Sequence, residues 1–150
     1  MKVPTESQEQ KAVIKWFNLQ YPEFKGRLVA SANGAHLAGN TKQRAMKMNK
    51  MKSEGFSSGF PDLHLPIPRG GYHGLFIEMK REKGGVLSAE QKDWIYFLNT
   101  QGHAANVCRG AFEAIESITR YMESVLCGTC WLEYGKPECQ GNHATDSGYG

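Results

Sequence analysis

Apolar positions recur along this chain first at helical and then at strand spacing. Val13, Trp16, Phe17 and the Gln20-Tyr21 pair fall at helical intervals behind Thr5 and Ser7. Either of those two residues suits an N-cap, so a helix is expected to about Leu19, closed by Pro22. Residues 27–32 (RLVASA) read as a short strand and Asn33-Gly34 as the turn behind it. Residues 41–54 predict a second helix with a narrow apolar stripe of Ala45, Met48 and Met51 or Lys52, and Gly55 suits its C-terminal stop. Residues 62–67 and 75–80 read as two strands of a hairpin around a Pro/Gly-rich turn at 68–74. Ser88 and Gln91 stand at capping-box spacing at the start of a helix over 88–100. Residues 104–108 form a short apolar strand. Residues 111–126 form an amphipathic helix that turns Ile115, Ile118, Tyr121, Met122 and Val125 to the core. Helix, strand, helix, strand, strand, helix, strand, helix is the order of an α/β domain built on a small mixed sheet.

The chain has 150 residues, enough for one domain with a real core, and its 40% hydrophobic and 22% charged content is that of a globular protein. No apolar run approaches the roughly 18 residues of a membrane span. The opening MKVPTESQEQK lacks a hydrophobic signal region, so a cytoplasmic protein is expected. A net charge of +3 permits a nucleic-acid partner without demanding one. The charge is uneven: residues 127–150 set Lys136 against Glu133, Glu138 and Asp146, while the rest carries 17 basic against 12 acidic groups. Five of those basic groups, Lys42, Arg44, Lys47, Lys50 and Lys52, crowd the second helix beside a single acid, Glu54. They make either a solvated helix face or a phosphate-contacting surface.

Three of the four cysteines fall in the last segment, and the absence of a signal region argues against a disulfide framework. Cys127 and Cys130 form a Cys-x-x-Cys pair, and Cys139 with His143 forms Cys-x-x-x-His. Three thiolates and an imidazole make a tetrahedral zinc set, with Gly128 permitting the tight turn. The competing reading is a tail with incidental thiols. The chain thus divides into a body over 1–126 and a Cys/His tail over 127–150, with Cys108 left as a core thiol.

Pro61-Asp62 and Ile77-Glu78-Met79-Lys80 carry the strongest chemical signal. Side chains alternate faces along a strand, so Glu78 and Lys80 point one way and Met79 the other. If Asp62 begins the neighbouring strand, its carboxylate approaches that of Glu78. Two carboxylates repel unless a cation stands between them, and oxygen ligands with open positions suit Mg²⁺ or Mn²⁺. Such an ion activates water and neutralises phosphodiester charge, while Lys80 can hold the water or stabilise the charged transition state. Each piece alone has a plainer reading, a turn aspartate and an exposed Glu-x-Lys pair. Their order and their 15-residue separation give the set its weight.

Pro61-Asp62 followed by Glu78-Met79-Lys80 resembles the PD-(D/E)XK nuclease signature. The longer pattern is closest to the VRR-NUC group of virus-type replication-repair nucleases. It comprises the helix TESQEQKAVIKWF, Ala32-Asn33-Gly34, Gly59-Phe60-Pro61-Asp62 and the Leu87-Ser88-Ala89-Glu90-Gln91 segment. The resemblance spans roughly residues 5–122 and implies a restriction-endonuclease-like α/β core. It implies a metal-dependent DNA endonuclease acting on branched DNA in the manner of a Holliday-junction resolvase, of phage or prophage origin, working as a homodimer. It implies Asp62, Glu78 and the Met79 carbonyl as metal ligands and Lys80 as the catalytic lysine.

The family also uses a glutamate on the first helix. Glu6 and Glu9 compete for that role, and Glu9 is preferred because it shares the stripe of Val13 and Trp16. Gln91 matches a position near the active site, and its capping role is equally compatible. Asn33 lies where the family meets its substrate. His64 could flank the metal, yet His36, His64 and His73 are better read as packing or surface residues. The competing function is a non-catalytic nucleic-acid-binding module that reads through the zinc tail.

Overall fold

The computed structural model describes residues 3–31 and 38–124. Asn33, His36 and the tail cysteines with His143 therefore lie outside the described residues. The elements in order are α1 (Glu6–Gln20), β1 (Val29–Ala30), α2 (Thr41–Ser53), β2 (Leu63–Leu65), β3 (Leu75–Lys80), α3 (Ala89–Thr100), β4 (Ala104–Arg109) and α4 (Gly110–Glu123). The strands form one mixed sheet ordered β1-β2-β3-β4, antiparallel as far as β3 and parallel between β3 and β4.

Thr5, not Ser7, caps α1: its hydroxyl accepts the Gln8 N–H while the Gln8 side chain accepts the Thr5 N–H at 2.9 Å. That reciprocal pair satisfies two of the donors every helix start leaves open. Two strands are shorter than their apolar runs suggest. β2 ends at Leu65 because Pro66 and Pro68 have no N–H to give a ladder. β1 keeps only Val29 and Ala30, because a 3₁₀ turn over Pro22–Phe24 still holds Arg27, whose N–H donates to the Phe24 carbonyl at 2.9 Å.

β3 is the central strand, and all six of its residues are buried. Leu75, Ile77 and Met79 face α1 and α4 in a core with Val13, Phe17, Leu63, Leu65, Ala114 and Ile118. Phe76 faces the other way, into a smaller cluster with Leu98 and Ala105, against which Phe60, Trp94 and Ile95 pack. A fully buried side chain of the size of Ile77 contributes about 1.5–3 kcal/mol, so both layers are held firmly against β3. Asn99 ties α3 to the sheet edge, its amide accepting the Ala105 N–H and donating to the Ala105 carbonyl, each at 3.1 Å. α4 follows β4 without a loop, a reversal that Gly110 permits with φ of +80°.

α2 stands apart. No residue of it is buried. Of the expected apolar stripe, Met48 and Met51 are half-buried and Ala45 is exposed. Its start is a capping box between Asn40 and Gln43, and Lys47 reaches back to the Ala38 carbonyl at 2.7 Å. Among the described residues no helix is long and apolar enough to cross a membrane.

Candidate active site

The antiparallel register pairs Leu63 with Ile77, so one step back along β2 brings Asp62 beside Glu78. Asp62 is fixed there by its Oδ2, which accepts the Met79 N–H at 2.8 Å. Glu78 and Lys80 share the α3 face of β3 and are nearly sealed from solvent, with 2% and 7% exposure. Such charges are tolerated in an interior only when each meets a partner. Lys80 Nζ lies 2.8 Å from Glu78 Oε1. The same oxygen accepts a hydrogen bond from Gln91 Nε2. Gln91 also completes the capping box of α3: its Oε1 accepts the Ser88 N–H at 2.9 Å, and its own N–H donates to Ser88 Oγ at 3.1 Å. The two roles open for Gln91 in the sequence are filled at once.

Burial is the main reason both carboxyls hold their protons unusually well. It pushes Glu78 up to about 7, helped by the neighbouring Asp62 and opposed by Lys80. It raises Asp62 as well, against the Met79 N–H and the charge of Lys80, with Glu6 adding to the rise. Each carboxyl also feels the other, the charge of Asp62 adding to the rise at Glu78. A pair so arranged is short of positive charge.

Beside the pair opens a cleft of about 370 Å³. Asp62, Glu78, Lys80 and Gln91 line it together with Glu6, Met48, Phe56, Ser58 and Phe60. Gly59, in the Gly-x-Pro-Asp segment, lets α3 come this close. A Cβ there would stand 2.5 Å from the Glu90 carbonyl carbon and 2.7 Å from the Gln91 nitrogen, and its φ is +82°. Gly85 gives Lys80 similar room, since a Cβ would lie 3.0 Å from that of the lysine.

The structure places the two first-helix glutamates differently. Glu9 is not in the cleft: its Oε2 accepts the Ala111 N–H at 2.8 Å and so satisfies an open donor at the start of α4. Glu6, one turn earlier, lines the cleft and accepts the Arg81 N–H just past Lys80 at 3.2 Å. Spacing could show that Glu9 shares the core-facing stripe. It could not show that α4 begins where that stripe ends. His64 stacks on Phe76 at 4.1 Å and is held below its usual pKa by burial and by His103, a packing role away from the carboxyls. His73 packs edge-on against His103.

The five basic residues of α2 are exposed, and the Lys50–Glu54 pair at 3.8 Å is an exposed contact of little energetic consequence. Met48 sets α2 against the cleft, with Arg44 and Lys52 one turn to either side of it. Met48, Phe56 and Ser58 had no motif to announce them in the sequence.

Among the described residues no three His, Cys, Asp or Glu side chains gather to hold a metal by themselves. Asp62 and Glu78 form a pair, and such a pair fits an ion whose remaining positions are taken by backbone carbonyl, water or substrate oxygen. Half-buried Asp62, buried Glu78 and a lysine paired to the glutamate stand in a nuclease-type α/β domain, whose substrate class is DNA. The comparisons are specific. The VRR-NUC domain matches residues 4–112. A solved structure titled "VRR_NUC domain protein" superposes with a TM-score of 0.67 and 31% identity, over 81% of this chain and 91% of that one. The chain belongs to the VRR-NUC domain family. Among curated proteins no significant match is found.

Proposed function

We propose that this protein is a metal-dependent endonuclease that hydrolyses phosphodiester bonds in branched DNA. The observation that carries the reading is the pairing of half-buried Asp62 with buried Glu78 at adjoining strand positions, both carboxyls raised by burial, with Lys80 Nζ 2.8 Å from Glu78 Oε1. Asp62, Glu78 and the Met79 carbonyl would hold Mg²⁺ or Mn²⁺, with Glu6 beside them. Bound there, the ion supplies an acidified water and neutralises charge on the phosphate.

The protein's own groups do the rest. Asp62 is held in place by the Met79 N–H. Lys80 orients the attacking water or meets the charge that develops on the phosphate oxygens. Gln91 fixes the Glu78 carboxylate from the α3 side. Lys42, Arg44, Lys47, Lys50 and Lys52 contact the phosphates of the flanking DNA. Cys127, Cys130, Cys139 and His143, outside the described residues, would supply the ligands of a structural zinc ion, and two copies of the chain would place two sites on opposed strands of a branch. Metal analysis well below one zinc per chain, or a monomer in light scattering with and without DNA, would remove those last two readings.

The central test is a substrate panel of linear, flapped, forked and four-way DNA with Mg²⁺ or Mn²⁺. Wild-type protein nicks a branched member only with the cation. Lys80→Ala and Asp62→Asn lose activity by about 100-fold or more and still bind DNA. Undiminished cleavage by both purified variants would overturn the assignment.

A further inference from the structure

Apolar side chains line the cleft together with the carboxyls, and the core of the described residues does not account for all of them. Phe60 is engaged inward, edge-on to Phe76 at 5.7 Å and to Trp94 at 5.0 Å. Met48 and Phe56 are different. Both are half-buried, and neither belongs to either apolar cluster among the described residues. The helix that carries Met48 buries nothing.

Phe56 is nonetheless held firmly. Its N–H donates to the Met51 carbonyl at 2.9 Å, closing the end of α2 after Gly55. The next residue, Ser57, accepts the Trp94 indole N–H at 3.0 Å. Trp94 sits on α3, the helix that also carries Gln91 to Glu78. The apolar lining and the carboxyls of the cleft are thus fixed to the same element.

We infer that Phe56 and Met48 form a platform for the face of an unpaired nucleobase next to the phosphate that is cut. The site then takes DNA whose cut strand carries an unstacked nucleotide at the branch. The inference rests on the nuclease reading for which phosphate is cut, but not for the stacking itself. In a duplex the base faces are covered by their neighbours, and a protein meets only phosphates, sugars and base edges. An aromatic ring beside a backbone-binding site gains most from a base turned out of the stack. The methionine thioether adapts to any base it meets. Arg44 and Lys52, a turn to either side of Met48, are placed for the phosphates that flank such a nucleotide.

The test reads binding and cleavage separately. Lys80→Ala protein is titrated with a blunt duplex and with the same duplex carrying a single-stranded flap, 2-aminopurine standing at the first unpaired position. Tighter binding of the flap and quenched 2-aminopurine are expected. Adding Phe56→Ala weakens flap binding roughly ten-fold and restores the fluorescence, with less than a two-fold change on the blunt duplex. Phe56→Tyr keeps both signals, while Phe56→Leu, apolar without a π face, loses the quench. Equal losses on both DNAs mean that the wall meets deoxyribose in a duplex and overturn the platform, as does an unchanged flap preference in Phe56→Ala and Phe56→Leu. A wild-type protein that cleaves no DNA but shows the Phe56-dependent quench removes the nuclease reading and leaves the platform standing.

Discussion

Gln91 uses both ends of its side-chain amide at once. Its Nε2 donates to Oε1 of Glu78, and its Oε1 accepts the Ser88 N–H that opens α3. The helix cap therefore orients the amide whose other end steadies the carboxylate. Local helix chemistry and the site are joined through one residue.

This double use separates two variants. Gln91→Glu keeps an acceptor for Ser88 and so keeps the cap, but it sets a second carboxylate against Glu78. Cleavage is expected to fall by at least ten-fold with a melting temperature close to wild type. Gln91→Ala loses both contacts and is expected to cost about 1 kcal/mol of stability as well. Paired melting and cleavage assays check this, and a Gln91→Glu protein with full activity would break the link.

The raised carboxyl of Glu78 sets a pH dependence. The folded protein holds this proton more tightly than the unfolded chain does. The stabilisation is full below the ordinary glutamate range and is lost as pH rises toward about 7. Cation-free protein is expected to lose stability across that window, by a few kcal/mol at most. A divalent cation competes with the proton, so the rise in melting temperature from added Mn²⁺ should be larger at about pH 8 than at about pH 5. Melting curves with and without Mn²⁺ across that range decide it, and a cation shift independent of pH would contradict the ligand pair.

Glu6 and Glu9 should part company when each is replaced by alanine. Glu9→Ala leaves the Ala111 N–H without its acceptor and is expected to cost about 1–2 kcal/mol, with cleavage near wild type well below the melting temperature. Glu6→Ala is expected to melt normally and to cleave at least ten-fold more slowly. The reverse pattern in denaturation and rate measurements would return the catalytic role to Glu9.

The α2 residues offer a test by salt. Because α2 buries nothing, Arg44→Ala with Lys52→Ala should leave the melting temperature unchanged. DNA affinity should fall, and the slope of log K against log salt should shallow by about 0.9 for each lost phosphate contact. An unchanged slope would place the DNA elsewhere.

Much of the fold was legible because its signals are local. The capping box at Ser88 and the alternation that puts Glu78 and Lys80 on one face act within a few residues of where they are read. Pro61-Asp62 and Glu78-Met79-Lys80 were readable for the same reason, with a hairpin to carry one toward the other. What failed to show was long-range. The Glu9 carboxylate meets α4 across 102 residues of sequence, and the Glu6 carboxylate meets Arg81 across 75. Gly59 is a glycine because of a helix thirty residues later.

The sequence alone determined the family pattern, the order of elements and the strand face that carries the acid and the lysine, since periodicity and short-range hydrogen bonding need no knowledge of distant neighbours. Only the tertiary structure decided which first-helix glutamate reaches the cleft, that Gln91 caps and steadies together, and that Met48 and Phe56 wall the site. Those are meetings between elements far apart in the chain, and burial, which raises the Asp62 and Glu78 carboxyls, exists only once the layers have closed around β3.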